Sequence, residues 1–246
     1  MNYGLIKEIS NKTKQMRRQL IRFLKTKFSK KIISELEKRL NFYKKNGLNF
    51  EKVLDIGAHN GEWKELFQKV FPESQILMIE GNKDKEEILK KKGNYIIELL
   101  GSKDDKEVDF YKCIDNRIDT GNSIFLEQTS MKFNSEKRKT KRLSTVINSN
   151  EKFDLIKIDV QGSELEVIEG GKEIIRNANF LLIELSLQNY NKGAPKYLEI
   201  VNKLIEYNFE LIDIFDLNYR NDVLIQFDGI FKNKSKNLIN FDKLIK

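Results

Sequence analysis

Cysteine, proline and histidine are scarce in this chain of 246 residues, which holds one cysteine, two prolines and one histidine. The single cysteine, Cys113, cannot form an internal disulfide, which agrees with a reducing compartment. The two prolines, Pro72 and Pro195, exclude proline-rich linkers. No apolar run reaches the roughly 18 residues of a membrane-spanning helix, and charges interrupt every apolar stretch near the N-terminus. We therefore expect no transmembrane helix, no signal peptide and a cytoplasmic location.

Positive charge is concentrated near the N-terminus. Residues 1–45 hold 14 Lys or Arg and 3 acidic residues, whereas the rest of the chain holds 31 and 34. The net charge of +8 therefore belongs to a basic extension, which we place at residues 1–47, and not to the main domain at 48–246. This distribution argues against a nucleic-acid binder built over the whole protein.

The basic extension has a helical pattern of apolar residues. An apolar side chain recurs at every fourth position, at Met16, Leu20, Leu24 and Phe28. This stripe predicts one helix, and Lys31–Tyr43 predicts a second. Two interpretations of residues 5–45 stay open. The charge and the stripe suit peripheral contact with an anionic membrane at its inner face. The stripe suits packing on the main domain or on a second subunit equally well, and the latter would make a homo-oligomer.

Beyond residue 47, strands alternate with helices, which predicts an α/β domain with a mostly parallel sheet. The predicted strands are Lys52–Ile56, Gln75–Glu80, Tyr95–Leu100, Val108–Cys113, Asp154–Asp159, Phe180–Ser186, Phe209–Phe215 and Val223–Phe227. The predicted helices are Glu62–Val70, Lys83–Lys91, Glu164–Ile175 and Tyr197–Tyr207, with a short helix or turn at Leu143–Asn148. The last two strands are expected to form an antiparallel pair. Residues 114–142 are polar and lack periodicity, so we expect a long loop there.

The first candidate site follows the first strand, in the segment Val53-Leu54-Asp55-Ile56-Gly57-Ala58-His59-Asn60-Gly61. An apolar strand that carries an acid leads into a turn with two glycines, and a helix begins after it. Glycine is needed where a cofactor presses on the backbone or where φ is positive. Glu80 ends the next strand, 19 residues after Gly61. A carboxylate at that position can accept both hydroxyls of an adenosine ribose.

This spacing alone fits either a nicotinamide dinucleotide or S-adenosylmethionine. A dinucleotide turn carries the pattern G-x-G-x-x-G, so that the helix N-terminus meets a pyrophosphate. Here the glycines are four residues apart, His59 lies between them and Glu62 follows. A negative residue at the helix start suits a cofactor without phosphate, which favours S-adenosylmethionine, and Asp55 would then help to hold its amino acid end. A purely structural strand–turn–helix with surface acids is the alternative.

The second candidate site lies in the segment Lys157-Ile158-Asp159-Val160-Gln161-Gly162-Ser163-Glu164. Asp159 ends a predicted central strand, where open α/β sheets place their ligands. Lys157 points to the same side of the strand as Asp159, because side chains alternate with period two. A lysine inside such a strand is unusual, and pairing with an acid is its simplest explanation. A turn or capping acid is the alternative interpretation of Asp159.

Together the two segments resemble the FkbM family of methyltransferases. The pattern D-x-G-A-(N/H)-x-G begins at Asp55, and K-x-D-V-(E/Q)-G-x-E-x-x-V-x-x-G begins at Lys157. The resemblance covers residues 51–234, and it includes Ser102 and the segment Asp228-Gly229-Ile230-Phe231. It implies a Rossmann-like class I methyltransferase fold, with a mostly parallel seven-stranded sheet and an antiparallel C-terminal strand. It also implies methyl transfer from S-adenosylmethionine to a hydroxyl, often on a sugar of a surface glycan or its precursor.

Individual residues therefore have expected roles. Asp159 is the expected general base, because a hydroxyl nucleophile improves if a base takes its proton, and Glu184 at the next strand end is the second choice. The expected cofactor-binding residues are Asp55, Gly57, His59, Gly61, Glu80 and Ser102. The expected acceptor-binding residues are Lys157, Gln161 and Asp228. Carboxylates near one cleft can hold a divalent metal, but no spacing requires one, so no metal is expected.

Three other functions fit the sequence less well. Amino-group methyltransferases of nucleic acids usually carry Asn/Asp-Pro-Pro-aromatic after the fourth strand, and this chain has Asp159-Val160-Gln161-Gly162 there. Nucleic acid is therefore not the expected partner. A non-catalytic scaffold of a glycan-biosynthesis cluster has no need of the intact Gly57, Gly61 and Glu80. A nicotinamide oxidoreductase is disfavoured by the missing middle glycine.

Overall fold

The computed structural model describes residues 34–114, 121–189, 191–236 and 238–239. The strands are β1 (Lys52–Ile56), β2 (Gln75–Glu80), β3 (Tyr95–Ile97), β4 (Glu107–Cys113), β5 (Phe133–Lys139), β6 (Leu155–Ile158), β7 (Phe180–Ser186), β8 (Phe209–Arg220) and β9 (Val223–Asn233). The α-helices are α1 (Glu35–Lys45), α2 (Glu62–Val70), α3 (Glu86–Leu89), α4 (Leu143–Val146), α5 (Glu164–Gly170), α6 (Lys172–Asn177) and α7 (Tyr197–Glu206). A 3-10 turn at Lys83–Lys85 precedes α3.

Seven strands form one sheet in the order β3-β2-β1-β6-β7-β9-β8. The first five are parallel, and β9 is antiparallel to both of its neighbours. The prediction of a mostly parallel seven-stranded sheet with an antiparallel C-terminal strand is confirmed. The strand order reverses between β1 and β6, and a ligand-binding crevice is expected at the carboxyl ends of the strands there.

The central strands β1, β6 and β7 are runs of apolar residues because both faces of the sheet are covered. Two charged residues interrupt these runs. Asp55 of β1 and Lys157 of β6 lie directly opposite each other in the parallel register of the two strands. Both are buried, so the centre of the sheet contains an ion pair where its pattern calls for apolar side chains.

Helix α1 covers part of the predicted basic extension. Its apolar side chains Leu36, Leu40 and Tyr43 are buried in the same cluster as Phe50 and Phe180. The second predicted helix of the extension is thus confirmed, and it packs on the sheet. The predicted stripe from Met16 to Phe28 lies outside the described residues, so membrane contact and the extension as a separate unit stay predictions. Among the described residues, no helix is long and apolar enough to span a bilayer.

The prediction of a long loop over residues 114–142 is wrong for Phe133–Lys139, which form β5. Strand β5 pairs antiparallel with β4 and forms a separate two-stranded sheet with it. Most of β5 is exposed on both faces, so it has no apolar alternation for a pattern search to find. Its pairing includes an ion pair between the register partners Asp109 and Lys137, with the carboxylate oxygen 3.0 Å from the ammonium.

The helix predicted over Glu164–Ile175 is interrupted at Gly171. This residue has φ −117° and ψ 22°, outside the helical range, and it separates α5 from α6. The neighbouring Gly170 lies against the backbone of Gly101, and a Cβ on Gly170 would be 2.1 Å from the Gly101 carbonyl oxygen. Two consecutive glycines therefore allow a close approach that a continuous helix with side chains would block.

Candidate active site

An open cleft of about 720 Å³ lies at the carboxyl ends of the parallel strands, at the point where the strand order reverses. Its walls come from the turns after β1 and β6, from the ends of β2 and β3, and from the loop that contains Gly121–Ile124. The two predicted candidate sites therefore form one cleft.

The turn after β1 is shaped by a close backbone contact. Gly57 has φ +80°, and a Cβ there would lie 1.8 Å from the Asp159 carbonyl oxygen. Only glycine allows the first turn to lie against the second at this distance. Gly61, with φ +77°, precedes α2, and a Cβ there would lie 2.9 Å from the Lys92 side chain. Gly57 lines the cleft, whereas Gly61 packs behind it.

Glu80 ends β2 and lines the cleft, although only 8% of the residue is exposed. Its two carboxylate oxygens accept hydrogen bonds from the backbone N–H groups of His59 and Asn82, each at 2.7 Å. Burial raises the pKa of Glu80 above its ordinary value, against the lowering effect of these two donors. The carboxylate thus links the cofactor turn to the end of β2 and faces the space in which the sequence predicts a ribose.

Asp159 follows β6, with 33% of its side chain exposed, and lines the cleft. The side-chain amide of Gln161 donates to Asp159 Oδ1 and to Glu184 Oε2, each at 2.8 Å. Gln161 has φ +54°, and its carbonyl oxygen accepts from the Ser123 hydroxyl at 2.8 Å and the Asn191 amide at 2.5 Å. Two distant loops therefore hold the residue that connects the two predicted base candidates.

Three further carboxyl groups lie behind Asp159, and all are held closer to their neutral forms. Burial, with Asp159, Glu164 and Asp228 as negative neighbours, raises the pKa of Glu184 well above its ordinary value. Burial and Asp159 raise the pKa of Asp228 to about 7. Burial also raises the pKa of Glu164 to about 7, although its Oε1 accepts from the backbone N–H groups of Val160 and Gly162, each at 3.1 Å.

Lys157 is the cation of this acidic region. Its ammonium nitrogen lies 3.3 Å from Asp55 Oδ1 and 3.3 Å from Asp159 Oδ2, and it faces the ring of Trp63 at 5.8 Å from the centroid. Burial lowers the pKa of Lys157, but Asp159, Asp55 and Asp228 outweigh burial and raise it above its ordinary value. Burial raises the pKa of Asp55, which is 0% exposed, against the lowering effect of Lys157. The prediction that Lys157 pairs with an acid is confirmed.

The structure brings some of the predicted site residues into the cleft and leaves others outside its lining. The predicted residues that line the cleft are Gly57, His59, Glu80, Asp159 and Gln161. Those outside the lining are Asp55, Gly61, Ser102, Lys157, Glu184 and Asp228. Among the described residues, no group of three or more His, Cys, Asp or Glu is arranged to hold a metal ion.

Three residues that shape the site have no role assigned from the sequence, namely Glu164, Ser123 and Asn191, although Glu164 is a fixed position of the second motif. Glu164 lies in the first turn of α5, where an acid is expected simply to complement the helix dipole. Nothing in its position indicates that the side chain turns back to the strand end. Ser123 and Asn191 are separated from Gln161 by 38 and 30 residues, and no local pattern connects them to it.

The lining fits a cofactor with an adenosine, a positive charge and no phosphate. Glu80, Glu98 and Asp159 supply negative charge, and the described lining contains no Lys or Arg to neutralise a phosphate. The first turn of α2 carries Glu62 and Glu65, which also disfavour an anion. Apolar side chains offer a surface for an adenine ring, and they are Ile79, Leu99, Leu100, Phe110 and Ile124.

This sheet order and this cleft define a Rossmann-like class I methyltransferase that uses S-adenosylmethionine. The family model described as "Methyltransferase FkbM domain" matches residues 55–211, well over half of the chain. The chain therefore belongs to the FkbM family of methyltransferases. It is also 38% identical over 76 residues to the 2-O-methyltransferase NoeI of Sinorhizobium fredii. That match covers 31% of this chain and 30% of the relative.

Solved structures resemble the chain more distantly. The FkbM methyltransferase from Methylobacillus flagellatus KT aligns with a TM-score of 0.47 and 15% identity, over 76% of this chain and 46% of that one. An S-adenosylmethionine-dependent methyltransferase from Clostridium acetobutylicum aligns with a TM-score of 0.48 and 11% identity, over 88% and 98% of the two chains. Membership of the family rests on the family model and not on these alignments.

Proposed function

We propose that this methyltransferase acts on a hydroxyl group, on a sugar of a surface glycan or its precursor, with Asp159 as the general base. The observation that carries the proposal is the position of Asp159. It lines the cleft, and its carboxylate oxygens face the Lys157 ammonium and the Gln161 amide, which hold a proton acceptor in place beside the space for the acceptor hydroxyl. The name of the similar 2-O-methyltransferase also supports an oxygen acceptor.

The other carboxyl groups are less suited to this role. Glu80 and Glu98 also line the cleft, but both oxygens of Glu80 accept backbone hydrogen bonds near the predicted ribose position. Glu184 lies outside the lining, behind the Gln161 amide, and its raised pKa favours the protonated form. Glu184 therefore stays the second choice.

The chain's own residues have a limited task in this reaction. When bound, S-adenosylmethionine supplies an electrophilic methyl group. Gly57, His59 and Glu80 would hold the adenosine and amino acid parts of the cofactor, and Gln161 holds Asp159 in place. Asp159 accepts the hydroxyl proton of the acceptor. Asn122 and Ser123 add polar side chains to the lining, and the absence of Lys and Arg from the described lining suits an uncharged, hydroxyl-rich acceptor.

The test uses Asp159→Asn, with Glu184→Gln as the matched variant at the second candidate. Affinity for S-adenosylmethionine is measured by calorimetry, and turnover is measured as S-adenosylhomocysteine formed with oligosaccharides released from the source cells. We expect Asp159→Asn to keep cofactor affinity and to lose about 10²- to 10⁴-fold in turnover, the range of general-base removal. Near wild-type turnover in Asp159→Asn, with loss in Glu184→Gln, would assign the base to Glu184.

A further inference from the structure

The charged end of Lys157 faces neither the solvent nor the cleft. Only 8% of its side chain is exposed, and it is absent from the lining. The predicted role in acceptor binding therefore has no contact to support it. The ammonium instead faces Asp55 and Asp159, at 3.3 Å each, and the Gly57 carbonyl oxygen at 3.4 Å.

The pair of Asp55 and Lys157 has no evident value for stability alone. Buried ion pairs cost desolvation, and replacing them with apolar residues of similar volume is often neutral or stabilising. No donor of the described residues hydrogen bonds to Asp55 Oδ2. A carboxylate that is 0% exposed, next to a lysine that also contacts a cleft carboxylate, indicates a chemical role for the lysine.

We propose that Lys157 is a positioning residue for Asp159: its ammonium pairs with the Asp159 carboxylate and directs it at the cleft, and Asp55 holds that ammonium in place. The inference rests on the proposed role of Asp159 as the base. Asp55 and Lys157 thereby act through Asp159, and neither needs to touch the cofactor or the acceptor.

The surroundings of Asp159 explain why a cation is required there. The acids that interact electrostatically with Asp159 lie on four packed elements, and they are Asp55 on β1, Glu164 on α5, Glu184 on β7 and Asp228 on β9. His59, the basic residue of the turn after β1, contacts Glu62 at 3.5 Å. Without Lys157, Asp159 would face these acids with no cation of the described residues beside it, and the Gln161 amide would remain as its hydrogen-bond donor.

The experiment compares the pH dependence of turnover in the wild type and in Asp55→Asn/Lys157→Met. The double variant removes both charges of the buried pair together, so that neither is left uncompensated. Removing an opposite charge within about 4–6 Å raises the pH at which a carboxylate loses its proton by about 1–3 pH units. We expect the acidic limb of the kcat profile to move up by about 1–3 pH units, with turnover recovering as the pH rises. Affinity for S-adenosylmethionine should stay unchanged.

Lys112→Met is the matched control. Lys112 also lies between two carboxylates, Asp84 at 3.1 Å and Glu136 at 3.5 Å, but outside the cleft lining. Its removal should leave the acidic limb in place. The assay uses the same cell-derived oligosaccharides, and a thermal melt confirms that each variant is folded.

The possible outcomes separate this inference from the proposed function. If Asp159→Asn retains turnover, the base is assigned wrongly. If Asp159→Asn loses turnover but the folded double variant keeps the wild-type acidic limb, only the role of Lys157 is wrong. A loss of turnover that is equal at every pH would also overturn it, because a merely structural role predicts that result.

Discussion

Removing one partner of the buried pair between Asp55 and Lys157 should destabilise the fold more than removing both. Lys157→Met leaves the Asp55 carboxylate, at 0% exposure, without its cation. At the observed separation of 3.3 Å, the attraction is about 5 kcal/mol for an effective dielectric constant of about 20. Breaking a buried pair typically costs about 3–5 kcal/mol, so we expect Lys157→Met to lower the free energy of unfolding by that amount.

The other two variants of the cycle should cost less. Asp55→Asn leaves Lys157 paired with Asp159 at 3.3 Å, so its expected cost is about 1–3 kcal/mol. Asp55→Asn/Lys157→Met leaves no buried charge in the pair and should be more stable than Lys157→Met alone. The loss of unfolding free energy in Lys157→Met should grow with pH. Burial raises the pKa of Asp55, so at low pH the buried group can stay neutral, whereas at higher pH folding must bury its unpaired charge or hold its proton at a cost.

Denaturant unfolding of all four proteins at one pH measures this cycle. The two substituted residues are in contact, so the double variant should be more stable than the sum of the two single effects predicts. Additive costs, or a Lys157→Met variant as stable as the wild type, would refute the argument that this pair is electrostatically coupled.

Three further predictions concern the site. Glu80→Ala should weaken S-adenosylmethionine binding by about 1–3 kcal/mol in calorimetry, because it leaves polar partners unpaired; unchanged affinity would exclude a ribose contact. Gly57→Ala should lower the melting temperature far more than Gly193→Ala, because both residues have φ near +80° but only a Cβ at Gly57 meets a backbone oxygen, at 1.8 Å; equal losses would show that the close approach is unimportant. The raised pKa of Glu164, about 7, should cost the wild type about 3 kcal/mol of unfolding free energy as the pH rises from about 4.5 to about 7. Glu164→Gln should not show this decrease, and parallel pH dependences of the unfolding free energy in the two proteins would contradict the prediction.

The central part of the fold was predictable because burial leaves a direct signal in the sequence. β1 and β7 are bounded within one residue of their predictions, since both faces of these strands are covered and their residues are mainly apolar. Helix α2 shows the same agreement, from Glu62 to Val70, because a glycine turn fixes its start. Strand β5 left no such signal, since its polar residues pair at the surface.

The site was predictable to the extent that it lies at strand ends. Gly57, Glu80 and Asp159 follow or end parallel strands, and the sheet brings those ends together at one cleft. The sequence of neither strand determines the register between β1 and β6, so the pairing of Asp55 with Lys157 could not be predicted. Asp55 was instead expected at the cofactor, whereas the structure buries it outside the cleft lining.

Transfer of an isotopically labelled methyl group tests the proposed reaction most directly. The wild type is incubated with methyl-labelled S-adenosylmethionine and oligosaccharides released from the source cells, and the labelled product is isolated and its linkage determined by NMR. Under the proposed function we expect a labelled methoxy group on a sugar, with equimolar S-adenosylhomocysteine, and its loss in Asp159→Asn. A label found on nitrogen or carbon, or an equal yield from Asp159→Asn, would contradict hydroxyl methylation with Asp159 as its base.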